Sequence, residues 1–170
     1  MELSAAQTVR LREFAERTRT NLVFIERHVR DHPATAEVYE VTQMLNSLLW
    51  LVVAADEWLV IDEMVSLEKL RHEGFPTLRF TGKRPPTDLK SLTSFLRNAV
   101  SHVNLDFVSD MGQITEVRLW NHQHGKLTEP HTADLVVSVA ELRKLAELLP
   151  MRYGLLEPTT ETLKLRPERL

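Results

Sequence analysis

An arginine and a histidine stand five positions apart in the string RNAVSH, Arg97 to His102. Histidine is the side chain most readily poised near neutrality to take or give a proton. Arginine is a permanent planar cation that suits a phosphate, and its grip strengthens as the phosphate gains charge in a transition state. Together they suffice for cleaving RNA without a metal. The imidazole would take the proton of the 2′-hydroxyl or give one to the leaving 5′-oxygen, while the guanidinium holds the nonbridging oxygens. Chance supplies many such pairs, so the weight of this one depends on the element that carries it.

That element is the stretch TDLKSLTSFLRNAVSHVNLDF, residues 87–107. Leu89, Leu92, Leu96, Ala99, Val100 and Val103 recur at three- and four-residue steps and form the apolar stripe of an amphipathic helix. Lys90, Ser91, Ser94, Arg97, Asn98, Ser101 and His102 make the opposite, polar side. At about 100° per residue, Asn98 and His102 lie one turn apart and nearly in line, whereas Arg97 sits roughly 140° round from His102. The segment before the helix, GFPTLRFTGKRPPTD (74–88), has three prolines and two glycines and reads as a loop. It carries Arg79, Lys83 and Arg84, with Phe75 and Phe80 to anchor it and Thr87 or Asp88 to cap the helix. The chain has a net charge of -3, yet residues 69–102 hold seven Lys/Arg against two Asp/Glu. This local excess marks Arg79, Lys83, Arg84, Lys90, Ser94 and Ser101 as candidate contacts to an anionic substrate. A solvated charged face beside a basic loop is the plain alternative.

The remaining chain supplies the scaffold. Its 170 residues suit one domain, expected over 1–156, with a loosely packed tail over 157–170. No cysteine is present, which excludes disulfides and thiol chemistry. The first residues lack the pattern of a signal peptide, and the longest apolar run, residues 48–55, is too short to span a bilayer. A soluble cytoplasmic protein without membrane contact is therefore expected. A first helix should run from a capping box at Ser4 to about Arg30, with Val9, Phe14, Leu22, Ile25 and Val29 inward. A second, over 34–56, carries a polar ridge of Glu40, Gln43, Asn46, Ser47 and Trp50, which is either satisfied internally or lines a site or interface. A short third helix within 58–72 has Asp62 as a plausible cap. After residue 107 the period changes to two: residues 114–120 and 135–137 read as a hairpin, and Ser138 with Glu141 opens a last helix to about Arg152. His122, His124 and His131 form a second histidine cluster. It could bind a transition metal, but it reads more simply as a solvated loop, and no metal or cofactor is expected. Trp50, Trp58 and Trp120 read as core or interface residues rather than base-stacking platforms, and no glycine-rich phosphate loop occurs.

The string RNAVSH resembles the Arg-polar-x-x-x-His signature of the HEPN superfamily (higher eukaryotes and prokaryotes nucleotide-binding domains). The stretches EVTQMLNSLLWLVV (Glu40 to Val53), LRNAVSH and VVSVAELRKLAELL resemble a subgroup found on bacterial plasmids and in mobile-element defence loci. The similarity runs from about Phe14 to Tyr153. It implies a mainly α fold, a HEPN-like helical bundle with a short β-hairpin inserted before the last helix, whose motif helices meet across a two-fold homodimer. It also implies a metal-independent endoribonuclease, often a toxin or anti-phage component with an antitoxin or defence-system partner. Arg97 would then be the phosphate-binding catalytic arginine, Asn98 its polar companion and His102 the catalytic histidine. Some members have lost cleavage and serve as nucleic-acid-binding or adaptor modules, and a purely structural helical dimer is a further alternative. Arg97 and His102 point apart within one chain, so a two-fold axis could gather both pairs around a common cleft. Asp106, one helical turn beyond His102, would either hydrogen-bond the imidazole within its own surface or orient it for catalysis.

Overall fold

The computed structural model describes residues 5–32, 41–47, 65–110, 113–122 and 130–154. The element order is α1 (Ala5–Asp31), a helical segment α2 over 41–47, α3 (Leu67–His72), β1 (Arg79–Thr81), α4 (Leu89–Ser101), β2 (Leu105–Asp110), β3 (Gln113–His122), β4 (His131–Ser138) and α5 (Val139–Arg152). The architecture is mainly helical with an inserted four-stranded antiparallel sheet ahead of the last helix, strand order β1-β4-β3-β2. The expected hairpin is the centre of that sheet, β3 paired with β4. Two further strands flank it, and both correct the sequence reading. β1 lies inside the stretch read as a loop and pairs with β4, Phe80 opposite Leu135. β2 occupies the end of the stretch read as helix and pairs with β3, Leu105 opposite Leu119.

α1 buries Leu11, Ala15, Thr18 and Leu22, a stripe at three- and four-residue steps. Of the residues expected inward, Phe14, Ile25 and Val29 are only half-buried and Val9 is exposed, and the nominally polar Thr18 is inside. Arg143 of α5 ties the helix down, donating to Glu26 at 2.6 Å and to Glu147 at 3.2 Å. In α2, Val41, Met44 and Leu45 are buried. Ser47 meets its need within the helix, its hydroxyl donating to the Gln43 carbonyl at 2.7 Å. Gln43 is half-buried and Asn46 exposed, while Glu40, Trp50 and Trp58 lie outside the described residues. So do Ser4 and Asp62; the cap of α3 is Ser66, whose side chain accepts from the Lys69 amide.

α4 starts where the sequence places it. Asp88 accepts from the Ser91 amide at 2.8 Å, and the Ser91 hydroxyl answers the Asp88 amide at 3.1 Å, a reciprocal box with serine in the third position. The Ser91 amide above all, aided by the Ser91 and Thr87 hydroxyls and opposed by burial, holds the Asp88 carboxyl below its ordinary value of 3.8. Asp88→Ala is expected to cost about 1 kcal/mol at neutral pH. The native carboxyl is the stronger acid, so its stabilisation is present above the ordinary value and is lost as pH falls through the folded one. Urea unfolding should show the gap between the two proteins narrowing below about pH 4; a gap unchanged by acid would mean that the carboxylate is not the cap.

The inner face of the sheet, Val117, Leu119, Ala133, Leu135 and Val137, packs with Leu92, Phe95 and Leu96 of α4 and Leu142, Leu145 and Leu149 of α5 in one core. Phe80 reaches in from β1 edge-on to Phe95, ring centroids 5.2 Å apart, and Phe75 is buried, so both anchor their segment as expected. Asn121 donates to the Phe95 carbonyl at 3.1 Å, pinning the end of β3 to the middle of α4. Ser138 and Glu141 form the expected capping box of α5. Among the described residues no helix is long and apolar enough to cross a membrane.

Candidate functional site

Arg97, Asn98 and His102 occupy the last turn of α4, which ends sooner than its periodicity suggests. Ser101 is the final helical residue and His102 the C-cap. The Asn104 amide then donates to the Ala99 carbonyl at 2.8 Å and the Val103 amide to the Val100 carbonyl at 3.1 Å. These are the two bonds of a Schellman ending, in which the residue after the cap turns left-handed. Glycine usually fills that position; here it is Val103, with φ +55° and 74% exposed. A β-branched residue there carries strain on the order of 1–2 kcal/mol. By periodicity Val103 belongs to the buried stripe of the helix, yet it is the most exposed large hydrophobic side chain among the described residues. The strained turn adjoins His102 directly, so the imidazole projects from a tightly bonded helix end and is exposed.

Asn98 closes part of the angular gap between the two motif residues. Its Oδ1 accepts from Arg97 Nε at 3.2 Å and from a terminal guanidinium nitrogen at 3.1 Å. Asn98 shares a ridge with His102, one turn earlier, and its main-chain carbonyl accepts the His102 amide at 3.1 Å. The amide side chain therefore holds the guanidinium round toward the histidine side of the helix. Asp106 does not stand one helical turn past His102, because the helix has ended. It lies in β2 opposite Arg118, and its carboxylate accepts from the Phe107 amide at 2.9 Å.

The other sequence candidates divide by position. Ser101 is exposed beside His102, and Ser94 is half-buried two turns back. Lys90 is in the first turn of α4, about 18 Å along the axis from His102. Arg79 is exposed on β1, and Lys83 and Arg84 are exposed in the turn that follows. That turn is held against the start of β4. The Arg84 amide donates to the Thr132 carbonyl at 2.9 Å. Gly82 has φ +108° and passes so close that a Cβ would lie 2.6 Å from the same oxygen. The basic residues are thus fixed in place, at a sheet edge rather than in a free loop.

A second group of side chains lies on the outer side of the sheet near this end; the sequence singles out its Trp120, His122 and His131 but does not join them to Arg118 and Asp134. Arg118 grips Asp134 through two nitrogens, and His131 Nδ1 lies 3.1 Å from the same carboxylate. Hydrogen bonding from Arg118 chiefly, and from His131, holds the Asp134 carboxyl below its ordinary range against the effect of burial. Trp120 stacks on His131, centroids 5.6 Å apart and planes 14° from parallel, with the Arg118 guanidinium 5.7 Å from the indole centroid. The indole N–H donates to His122 Nε2 at 3.2 Å, and His122 meets His131 edge-on. Trp120 is half-buried in this polar stack and not in the core. The two described histidines of the cluster are engaged in it, and His124 lies outside the described residues. Among the described residues no three His, Asp or Glu side chains are grouped to hold a metal ion. The signal was available in principle: Trp120, Arg118 and Asp134 occupy alternate, outward positions of adjoining strands, but their juxtaposition needs the β3–β4 register.

No curated protein and no solved structure matches the chain. The HEPN pEK499 p136 family matches residues 1–151, which takes in every described element except Arg152, the last residue of α5. The arginine, its adjoining amide and the histidine at the end of α4 thus sit in a chain that belongs to the HEPN superfamily, in the plasmid-associated pEK499 p136 subgroup.

Proposed function

We propose that this protein is a metal-independent endoribonuclease acting through Arg97 and His102 at a site shared by two copies of the chain. The observation that carries the reading is the Arg97–Asn98 pairing beside His102 on one exposed, tightly closed helix end. In the reaction His102 takes the proton of a ribose 2′-hydroxyl. The 2′-oxygen then bonds to phosphorus as the bond from phosphorus to the 5′-oxygen breaks, leaving a 2′,3′-cyclic phosphate. The departing 5′-oxygen takes a proton from His102 of a second copy, protonated beforehand. Arg97 bears on the nonbridging oxygens, where charge accumulates. Asn98 sets the orientation of the guanidinium and so restricts the freedom it would lose on binding.

Single-stranded RNA incubated with purified protein in excess EDTA should be cut to products ending in 2′,3′-cyclic phosphate. Light scattering should give a mass near twice the 19.6 kDa of the chain. A folded dimer that binds RNA but cleaves none across varied sequences would replace this reading with that of a binding or adaptor module. A monomer that cleaves would rule out the shared site. Roles as a toxin or in phage defence, with a cognate antitoxin or defence partner, extend the same proposal and rest on the subgroup's setting.

A further inference from the structure

Strand order and register bring the motif end of α4, the ring stack and the basic turn to one end of the sheet. The order β1-β4-β3-β2 sets four chain segments side by side there. They are the turn 82–84 that follows β1, the start of β4 at His131, the end of β3 at Trp120, and the lead into β2. The turn is fastened to β4 by the bond from Arg84 to Thr132, and His131 pairs across to His122. The Trp120 amide donates to the Asn104 carbonyl at 3.1 Å. His102 is two residues before Asn104, no more than about 7 Å of chain. From β1 to β2 the row spans three strand spacings, about 14 Å.

We infer that this end of the sheet is an RNA subsite adjoining the His102 site, in which an unpaired base next to the cleaved bond stacks on the Trp120–His131 pair and its backbone phosphate meets Lys83 and Arg84. The inference rests on the endoribonuclease reading for which bond is cleaved, though not for the binding itself. Three features of the row favour single-stranded RNA. The two rings lie nearly parallel and are only part-covered, the His131 side chain being 35% exposed, so a base can continue the stack. Arg118, 47% exposed beside the indole, adds a planar cation suited to a base face. Lys83 and Arg84 are exposed, and Gly82 and the Thr132 carbonyl fix where they project. The indole is held in turn by His122, so the plate is preformed and loses little freedom on binding. A duplex cannot offer an unstacked base, and single strands should be preferred.

The test uses full-length protein, a single-stranded RNA with 2′-O-methyl riboses that cannot be cut, the same strand annealed to its complement, and the cleavable RNA of the same sequence. Trp120→Leu keeps apolar bulk and removes the ring; Trp120→Phe keeps a ring. Lys83→Ala/Arg84→Ala alters only exposed turn side chains and guards against a Trp120 variant that fails to fold. Trp120→Leu should weaken binding about 5- to 150-fold, the range set by the stacking of one base, with Trp120→Phe in between. The loss should enter KM for the cleavable RNA with kcat nearly kept. The double variant should lower affinity and flatten the salt dependence by about 0.7 for each phosphate that is no longer neutralised. Wild-type affinity and KM in folded Trp120→Leu and in the double variant would overturn the subsite and leave the endoribonuclease reading intact. If instead the wild type cuts nothing while these variants lose affinity, the subsite stands and the cleavage reading fails. Equal binding of duplex and single strand would overturn the stacking role.

Discussion

His102→Ala should lower RNA cleavage by at least roughly 10²–10⁴-fold, the range associated with losing one positioned proton-transfer group, since the substitution removes the group from both copies. The imidazole is exposed at the C-cap, and the cap itself is made by the main-chain bonds of His102, Val103 and Asn104, which alanine retains. Stability should therefore change by no more than about 0.5 kcal/mol. RNA binding should largely persist, because the arginine and lysine side chains around the site supply most of the hold on a polyanion. The measurement is single-turnover cleavage at saturating protein alongside a thermal melt. A well-folded His102→Ala protein that cuts at the wild-type rate would end the assignment of this histidine, whatever its neighbours do.

Arg97→Ala should suppress cleavage by roughly 10²–10³-fold, comparable with removing a preorganised donor to a developing oxyanion, and should weaken RNA binding as well. The guanidinium acts on the phosphate before and during the reaction, so both KM and kcat should suffer. Arg97→Lys discriminates between a generic charge and this particular arrangement. Lysine restores the positive charge, but it cannot reproduce a planar group that engages Asn98 Oδ1 through Nε and a terminal nitrogen while offering further N–H groups to a phosphate. Binding should recover more than turnover. Equal recovery of both would mean that the Asn98 pairing has no part in catalysis, and no loss of either in Arg97→Ala would remove the arginine from the site.

The features legible in the sequence were those carried by near neighbours. Asp88 with Ser91 and Ser138 with Glu141 are local bonds between residues three apart, so the starts of α4 and α5 could be read directly. The alternation of β3 and the apolar stripe Leu89, Leu92, Leu96 and Ala99 likewise report a face that must be buried, whatever it packs on. Arg97, Asn98 and His102 had to lie close together, because six residues on one helix end leave no other possibility.

Only the tertiary structure decided where α4 stops. Val103 continues the helical steps from Ala99 and Val100, yet it equally begins the alternation of Val103, Leu105 and Phe107, so local pattern supports both. The pairing of β2 with β3 settles it, since six residues bonded along a sheet outweigh a strained left-handed valine. β1 had no local signal at all: three of the five residues between Pro76 and Gly82 become a strand because the edge of β4 offers them partners. The same long-range register sets Trp120 opposite Asp134 and puts Arg118 and His131 within reach of that carboxylate, joining residues on two strands. Capping and periodicity depend on side chains three or four residues away and are written in the chain; a strand exists by virtue of its neighbour, and the neighbour is chosen only when the core closes.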